Sequence, residues 1–407
     1  MISVSTLLRS HRHLPVACAL ALAACSTDTT SPGEPAVASS QAAAADAGSA
    51  TSRPWAPDAA HADNVGAIST DVAEDAGTSE PPASHADAGV AAYSWPEDCE
   101  THYTLRAHNA NGVQDTTKKQ VAAGAQYYAS YYFSAPWTTK EVQGLKFRSM
   151  IDNKKVVHHW ILYGVDSATQ HAGSVQGGVG QSIGSMQGEF YIAGWAPGAP
   201  DLTLPDDVGL HMPTGANAKF RLEVHYFNTS ATAVTEEDAT GVEFCVTSHK
   251  RTHEAAVHWL GTTNVVVPPG TPTDLNSTCR PMITNGPVHL LSLSAHMHKT
   301  GVHARAMLNH ANGDAPLMLI DDDFTFAEQN AYHQPRMGSA PDVQINAGDT
   351  IDVTCSYDNT TGATKRFGSN TEDEMCFFYA LAWPRGQLSN GSLSVVPGAE
   401  PEVNCIQ

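Results

Sequence analysis

From about position 96 onward, apolar residues come in short runs that alternate with polar ones at period two, and turn clusters such as Asn111-Gly112 and Pro268-Pro269-Gly270 separate the runs. Side chains on a strand point alternately to its two faces, so this pattern suits sheets with one face on a core. The 32 glycines and 24 prolines act in the same direction, because both residues interrupt helices. The expected fold is all-β, built from antiparallel β-sandwiches with few helices. About 310 residues carry the pattern, enough for two domains of ordinary size. A polar segment with basic residues, Ser248 to Glu254, lies between two strand-rich halves. The boundary is placed there, giving domains 96–250 and 251–407.

The N-terminal part reads differently. Arg9 and Arg12 precede an apolar run from Leu14 to Ala24, and Leu22-Ala23-Ala24-Cys25 closes it. This resembles the lipobox of a bacterial lipoprotein signal peptide, with 1–24 removed and Cys25 lipidated. The plainer alternative is a secretory peptide cleaved near Ala24. Either reading exports the chain, to the periplasm or the cell surface, and the run is too short to span a bilayer, so the membrane is met only through a lipid anchor. Residues 25–95 are rich in Ala, Ser, Asp and Pro, with Ala42 to Ala45 unbroken. Such a stretch buries too little apolar surface to offset its ordering entropy and is expected to be a disordered tether. It carries ten acidic residues against Arg53 alone, a large part of the formal net charge of −20. The acidity of the remainder argues against nucleic acid as a partner.

Beyond Cys18 and Cys25, six cysteines remain: Cys99, Cys245, Cys279, Cys355, Cys376 and Cys405. An even number in an exported chain suggests disulfides, and six cysteines allow fifteen pairings. Two fall in the first half, so Cys99 and Cys245 would join that domain end to end. No CxxC occurs, which disfavours a zinc-thiolate site.

Histidines carry the chemistry. The pair His158-His159, then His225, then His296-Met297-His298, with Met375 further on, offer imidazoles and one thioether. That ligand set holds copper through both oxidation states, since thioether favours Cu(I) and imidazole also suits Cu(II). Strand parity sets Leu291, Leu293, Ala295 and Met297 on one face and Ser292, Ser294, His296 and His298 on the other, so the two imidazoles can converge on one ion. His225 likewise lies on a polar face, opposite Phe220, Leu222, Val224 and Tyr226. His158 and His159 are neighbours and face opposite ways on a regular strand; both reach one ion only if a bulge re-aims one ring. Singly, each residue has a plainer role: a lone His is most often hydrogen-bonded surface or core, and a lone Met is most often core. His102, His211, His258, His289, His303 and His333 are assigned such roles.

Taken together, Val157-His158-His159-Trp160, Leu222-Glu223-Val224-His225-Tyr226, His296-Met297-His298, Ala347-Gly348-Asp349-Thr350-Ile351 and Asp373-Glu374-Met375-Cys376 match a family pattern in content, order and separation. From about Asp98 to Cys405 the chain resembles the copper type II, ascorbate-dependent monooxygenases, which include peptidylglycine α-hydroxylating and dopamine β-monooxygenases. The resemblance implies two jelly-roll-like β-sandwiches side by side, one copper on each, and a solvent-filled gap between the metals. It implies His158, His159 and His225 as ligands of an electron-transfer copper, and His296, His298 and Met375 as ligands of an oxygen-activating copper. It also implies the pairings Cys99–Cys245, Cys279–Cys405 and Cys355–Cys376.

The implied reaction hydroxylates a C–H bond with O2, the second oxygen atom leaving as water and one electron coming from each copper. Ascorbate or another one-electron donor is the reductant. Tyr379 matches a substrate-side tyrosine. Where peptide-hydroxylating members carry an arginine for the substrate carboxylate, this chain has Ser294, and Phe377 replaces a polar residue. A peptide ending in glycine is therefore disfavoured, and a more apolar or uncharged small molecule is expected. The main alternative is a non-catalytic copper-binding lipoprotein. A zinc hydrolase centre leaves Met375 and the HxH unexplained.

Overall fold

A computed structural model of the chain describes residues 93–109, 116–137, 140–178, 188–229, 234–327, 329, 332–333, 343–368, 370–391 and 404–406. The expected signal peptide, Cys25 and nearly all of the expected tether lie outside the described residues. Tyr93 to Trp95, expected as the end of that tether, are instead packed. The Tyr93 ring lies under Lys146 and Arg148, Lys146 donates to the Ser94 carbonyl, and Trp95 sits on His102.

Among the described residues there is no helix, and the strands form two sandwiches. In the first half an antiparallel sheet runs in the order Val175–Gly178, Gln126–Ser134, Lys219–Phe227, Val157–Val165, Glu189–Trp195. Opposite it lie Thr101–Arg106, Gly241–Thr247, Gln143–Met150 and Val208–His211. Phe147, Trp160, Leu162, Phe220, Leu222, Val224 and Phe244 fill the space between. In the second half His253–Thr262, Cys376–Trp383 and Val288–His296 face a sheet of Thr273–Cys279, Thr350–Tyr357, Gly301–Asn309 and Leu317–Asp323. Leu290, Leu293, Met297, Ala306, Leu308 and Val353 make that core. Both cores follow from the alternation in the sequence, because burying one face of each strand removes the apolar set from water together.

The halves are joined through backbone. Val208–His211 pairs in parallel with the start of His253–Thr262, so one sheet runs through both sandwiches. A second contact covers the outer face of the five-stranded sheet, where Tyr163 meets Trp259, Met375, Phe377 and Ile406. The polar face of Lys219–Phe227 is therefore buried rather than wet. On it Arg221 makes a bidentate pair with Glu189 (2.5 and 2.8 Å), reaches Glu223 and Ser130, and stacks on Tyr163. A buried charge needs such partners, since removing one from a buried pair costs about 3–5 kcal/mol.

Disulfides close Cys99–Cys245, Cys279–Cys405 and Cys355–Cys376. The last fixes the start of the Cys376–Trp383 strand, directly after Met375. The parity expected for Leu291 does not hold. A bulge between Leu290 and Ser292 shifts the register, so Val288 and Leu290 join Leu293, Ala295 and Met297 in the second core while Leu291 packs toward the first.

Candidate metal centres

The strand Val157–Val165 pairs with Lys219–Phe227 as His159↔His225 and Val157↔Tyr226, which leaves His158 as the extra residue of a β-bulge. That bulge turns the His158 ring to the side of its neighbour. The rings of His158, His159 and His225 have centroids 5.3, 5.2 and 5.0 Å apart, and one nitrogen from each lies within 4.8 Å of the others. The Nδ1 atoms of His158 and His159 are 3.1 Å apart.

Hydrogen bonds select the donor atom. His158 Nε2 lies 3.0 Å from the Phe326 carbonyl and can only donate to it, so its lone pair is on Nδ1. His225 Nε2 meets Thr371 Oγ1 at 3.3 Å, and its Nδ1 is buried with no hydrogen-bond partner. A buried orphan acceptor is costly, and a metal ion would satisfy it. The second pair is arranged the other way. His296 Nδ1 donates to Gln329 Oε1 at 2.7 Å and His298 Nδ1 to the Asp373 carbonyl at 3.1 Å, which leaves Nε2 on each as the free donor. Their rings are 5.5 Å apart.

All five imidazoles are held neutral. Burial lowers His158 and His298 to about 4 and His296 to about 3, and it holds His159 and His225 well below their usual range, with repulsion from neighbouring imidazoles added. Neutral rings keep their lone pairs at ordinary pH, as a ligand requires. Neither group contains a thiolate or carboxylate donor. The trio Cys99, His102 and Cys245, on the opposite sheet, offers no such site, because its sulfurs form a disulfide.

Met375 is buried among Tyr163, Trp259 and Phe377, and its carbonyl accepts from Tyr357 Oη at 2.5 Å. The ladder ends at the pair His296↔Phe377, two residues before His298 on one side and two after Met375 on the other. Glu374 joins the two segments: its buried carboxylate accepts from the backbone N–H groups of His298, Thr300 and Met375. Burial holds this carboxyl above its usual range despite those donors.

Among the described residues the implied solvent-filled gap does not separate the two groups; the cavity that His159 and His296 line lies beside them. The rings of His159 and His296 are 6.3 Å apart, His158 stacks on Phe326 at 4.2 Å, and His225 reaches Thr371, so the halves meet directly at the histidines. Tyr379 lies 5.6 Å from His296 and lines a cavity with it. Phe377 does not line that cavity; it is packed under Trp259 and does not report on the substrate. Phe326, Gln329, Thr371 and Glu374 escaped notice in the sequence. Only Glu374 lay inside a matched segment, and nothing local marked its role.

The description "Copper type II ascorbate-dependent monooxygenase, N-terminal domain" matches residues 114–233, and the corresponding C-terminal domain matches residues 253–398. The chain belongs to the copper type II ascorbate-dependent monooxygenase family. DBH-like monooxygenase protein 2 of Mus musculus is 28% identical over 285 residues, covering 65% of this chain and 44% of the relative. Tyramine beta-hydroxylase of Caenorhabditis briggsae is 28% identical over 207 residues, 48% of this chain and 34% of the relative. Peptidyl-glycine alpha-amidating monooxygenase of Mus musculus is 24% identical over 212 residues, 51% and 21%. The chain spans about half the length, or less, of the curated relatives it matches. For this monooxygenase family copper is the metal and ascorbate the reductant, and the neutral nitrogen donors here fit that metal.

Proposed function

We propose that this chain hydroxylates a C–H bond of a small molecule, using copper, O2 and a one-electron donor such as ascorbate. The observation that carries this reading is the pair of neutral imidazole groups with opposite donor atoms, Nδ1 in the first half and Nε2 in the second, meeting where the halves touch. His158, His159 and His225 would hold one copper, and His296, His298 and Met375 the other. Bound there, copper would supply one-electron steps and O2 activation.

The protein's own residues orient and shield. The Phe326 and Asp373 carbonyls and the Gln329 amide oxygen fix the tautomers of His158, His298 and His296 from outside, and the Thr371 hydroxyl orients His225, the role such partners play around metal ligands. Trp259, Phe377 and Tyr163 exclude water on the Met375 side. Ser294 and Tyr379 face the space beside His296, where a substrate would sit. The three disulfides fit an oxidising, extracytoplasmic setting. A lipid on Cys25 would tether domains 96–250 and 251–407 outside the membrane.

The same ligands would serve a copper-buffering lipoprotein. Oxygen consumption by the copper-loaded protein with ascorbate, measured together with mass spectrometry for a product gaining one oxygen atom, separates the two. Coupled consumption and product are expected. Tight copper binding with neither, across a broad metabolite panel, would leave the buffering role.

A further inference from the structure

Two cavities with shared walls open beside His296, with about 80 Å³ and about 70 Å³ of free space inside them. They share Tyr191, Gly194, Ala199, Ser294 and Tyr379 as walls. The inner one reaches His159 and His296, and the outer one continues between Leu202, Val257 and Leu381. Tyr191 and Tyr379 are stacked at 5.1 Å, with Trp259 edge-on to Tyr379 at 4.9 Å. Gly194 makes this wall possible: a Cβ there would lie 2.1 Å from the Tyr191 hydroxyl and 3.2 Å from the Trp160 carbonyl.

Among the described residues, no Asp, Glu, Lys or Arg lines either cavity. The buried Arg221 cluster is closed on itself behind Tyr163, with its donors spent on Glu189, Glu223 and Ser130, and Asp201, between the wall residues Pro200 and Leu202, accepts from the Ser149 N–H. The polar side chains in the walls are uncharged: the hydroxyls of Ser292, Ser294, Tyr191 and Tyr379, the indoles of Trp160 and Trp195, the neutral imidazoles of His159 and His296, and the Gln329 amide, whose oxygen already accepts from His296. In the copper-free protein an ammonium or carboxylate entering this space would lose its hydration with no described side chain of opposite charge to meet it, whereas an apolar body would gain by burial.

We infer that the channel takes an uncharged, largely apolar molecule with at most hydroxyl-like polar groups, and rejects amine and carboxylate substrates alike. This rests on the proposed monooxygenase function, and it assigns the substrate class of that site.

The test is binding of three matched probes, 2-phenylethanol, 2-phenylethylamine and 3-phenylpropanoate, to the full-length protein by titration calorimetry, with and without copper. In the copper-free protein the alcohol is expected to bind, and each ion to bind roughly 100-fold more weakly or worse, as an unpaired buried charge dictates; any extra binding of the ions with copper present reads their coordination to the metal. Ser294→Arg places a guanidinium in the shared wall and should raise affinity for the carboxylate roughly tenfold or more, without helping the amine. The wild-type comparison stands alone if that variant fails to fold. Amine or carboxylate binding as tight as the alcohol, or no alcohol binding up to its solubility, overturns the assignment. Binding is read without turnover, so a channel that prefers the alcohol in a protein with no coupled oxygen consumption would sink the monooxygenase reading and leave this one standing.

Discussion

Thr371 Oγ1, from the second half of the chain, lies 3.3 Å from Nε2 of His225 in the first, and Gln126 of the first half donates to the same hydroxyl. The orientation of one candidate ligand is thus set by a residue from the other half. Phe326, also from the second half, does the same for His158.

Thr371→Val removes the hydroxyl and keeps the shape. Copper at the three-histidine group is expected to bind about 10–100-fold more weakly, the usual cost of losing a partner behind a ligand. Its Cu(II) paramagnetic resonance spectrum should change, while Thr371→Ser retains the wild-type signal. Identical affinity and spectra in the valine variant would mean that the hydroxyl does not position His225.

Glu374 gathers three backbone donors from the segments carrying His298 and Met375. Glu374→Gln replaces one acceptor oxygen with a donor facing donors. A loss of about 1–3 kcal/mol in unfolding free energy is expected, the penalty for unsatisfied buried groups. Copper stoichiometry should fall at the His296 group before the His158 group. Equal loss from both groups would point to global unfolding instead.

Burial pushes Glu223 up to about 8 from 4.5, against the lowering influence of Arg221. Folding therefore favours its protonated form. This contribution to stability is fully present below the unfolded value and is lost as pH rises through the folded one. Urea unfolding of the copper-free protein should show stability declining between about pH 5 and about pH 8, and Glu223→Gln should flatten that decline. A slope unchanged in the glutamine variant would assign it to other groups.

Met375→Leu conserves volume in the aromatic cluster and should cost under about 1.5 kcal/mol. If the thioether is a ligand, the variant folds, keeps copper on its histidines and loses nearly all hydroxylation. X-ray absorption of the reduced protein should also lose its sulfur scatterer. Wild-type turnover in the leucine variant would make Met375 a packing residue.

The sequence by itself determined the all-β character and the sidedness of most strands, because period-two alternation is local and survives in any sheet. It set His296 and His298 on one face, and it specified the condition under which His158 could join His159, a bulge, which the structure places at His158. It misplaced Leu291, since a one-residue bulge reverses parity without leaving a mark in the pattern. What only the tertiary structure decided depends on residues far apart in the chain. Phe326 reaches His158 across 168 positions and Thr371 reaches His225 across 146. The Phe326 carbonyl leaves Nδ1 of His158 free, Thr371 orients His225, and both lie where His159 meets His296, while Glu189, Glu223 and Ser130 close the Arg221 charge in on itself. Tautomer, burial and the charge of a cavity are properties of what surrounds a side chain, and the surroundings exist only once the two sandwiches have packed.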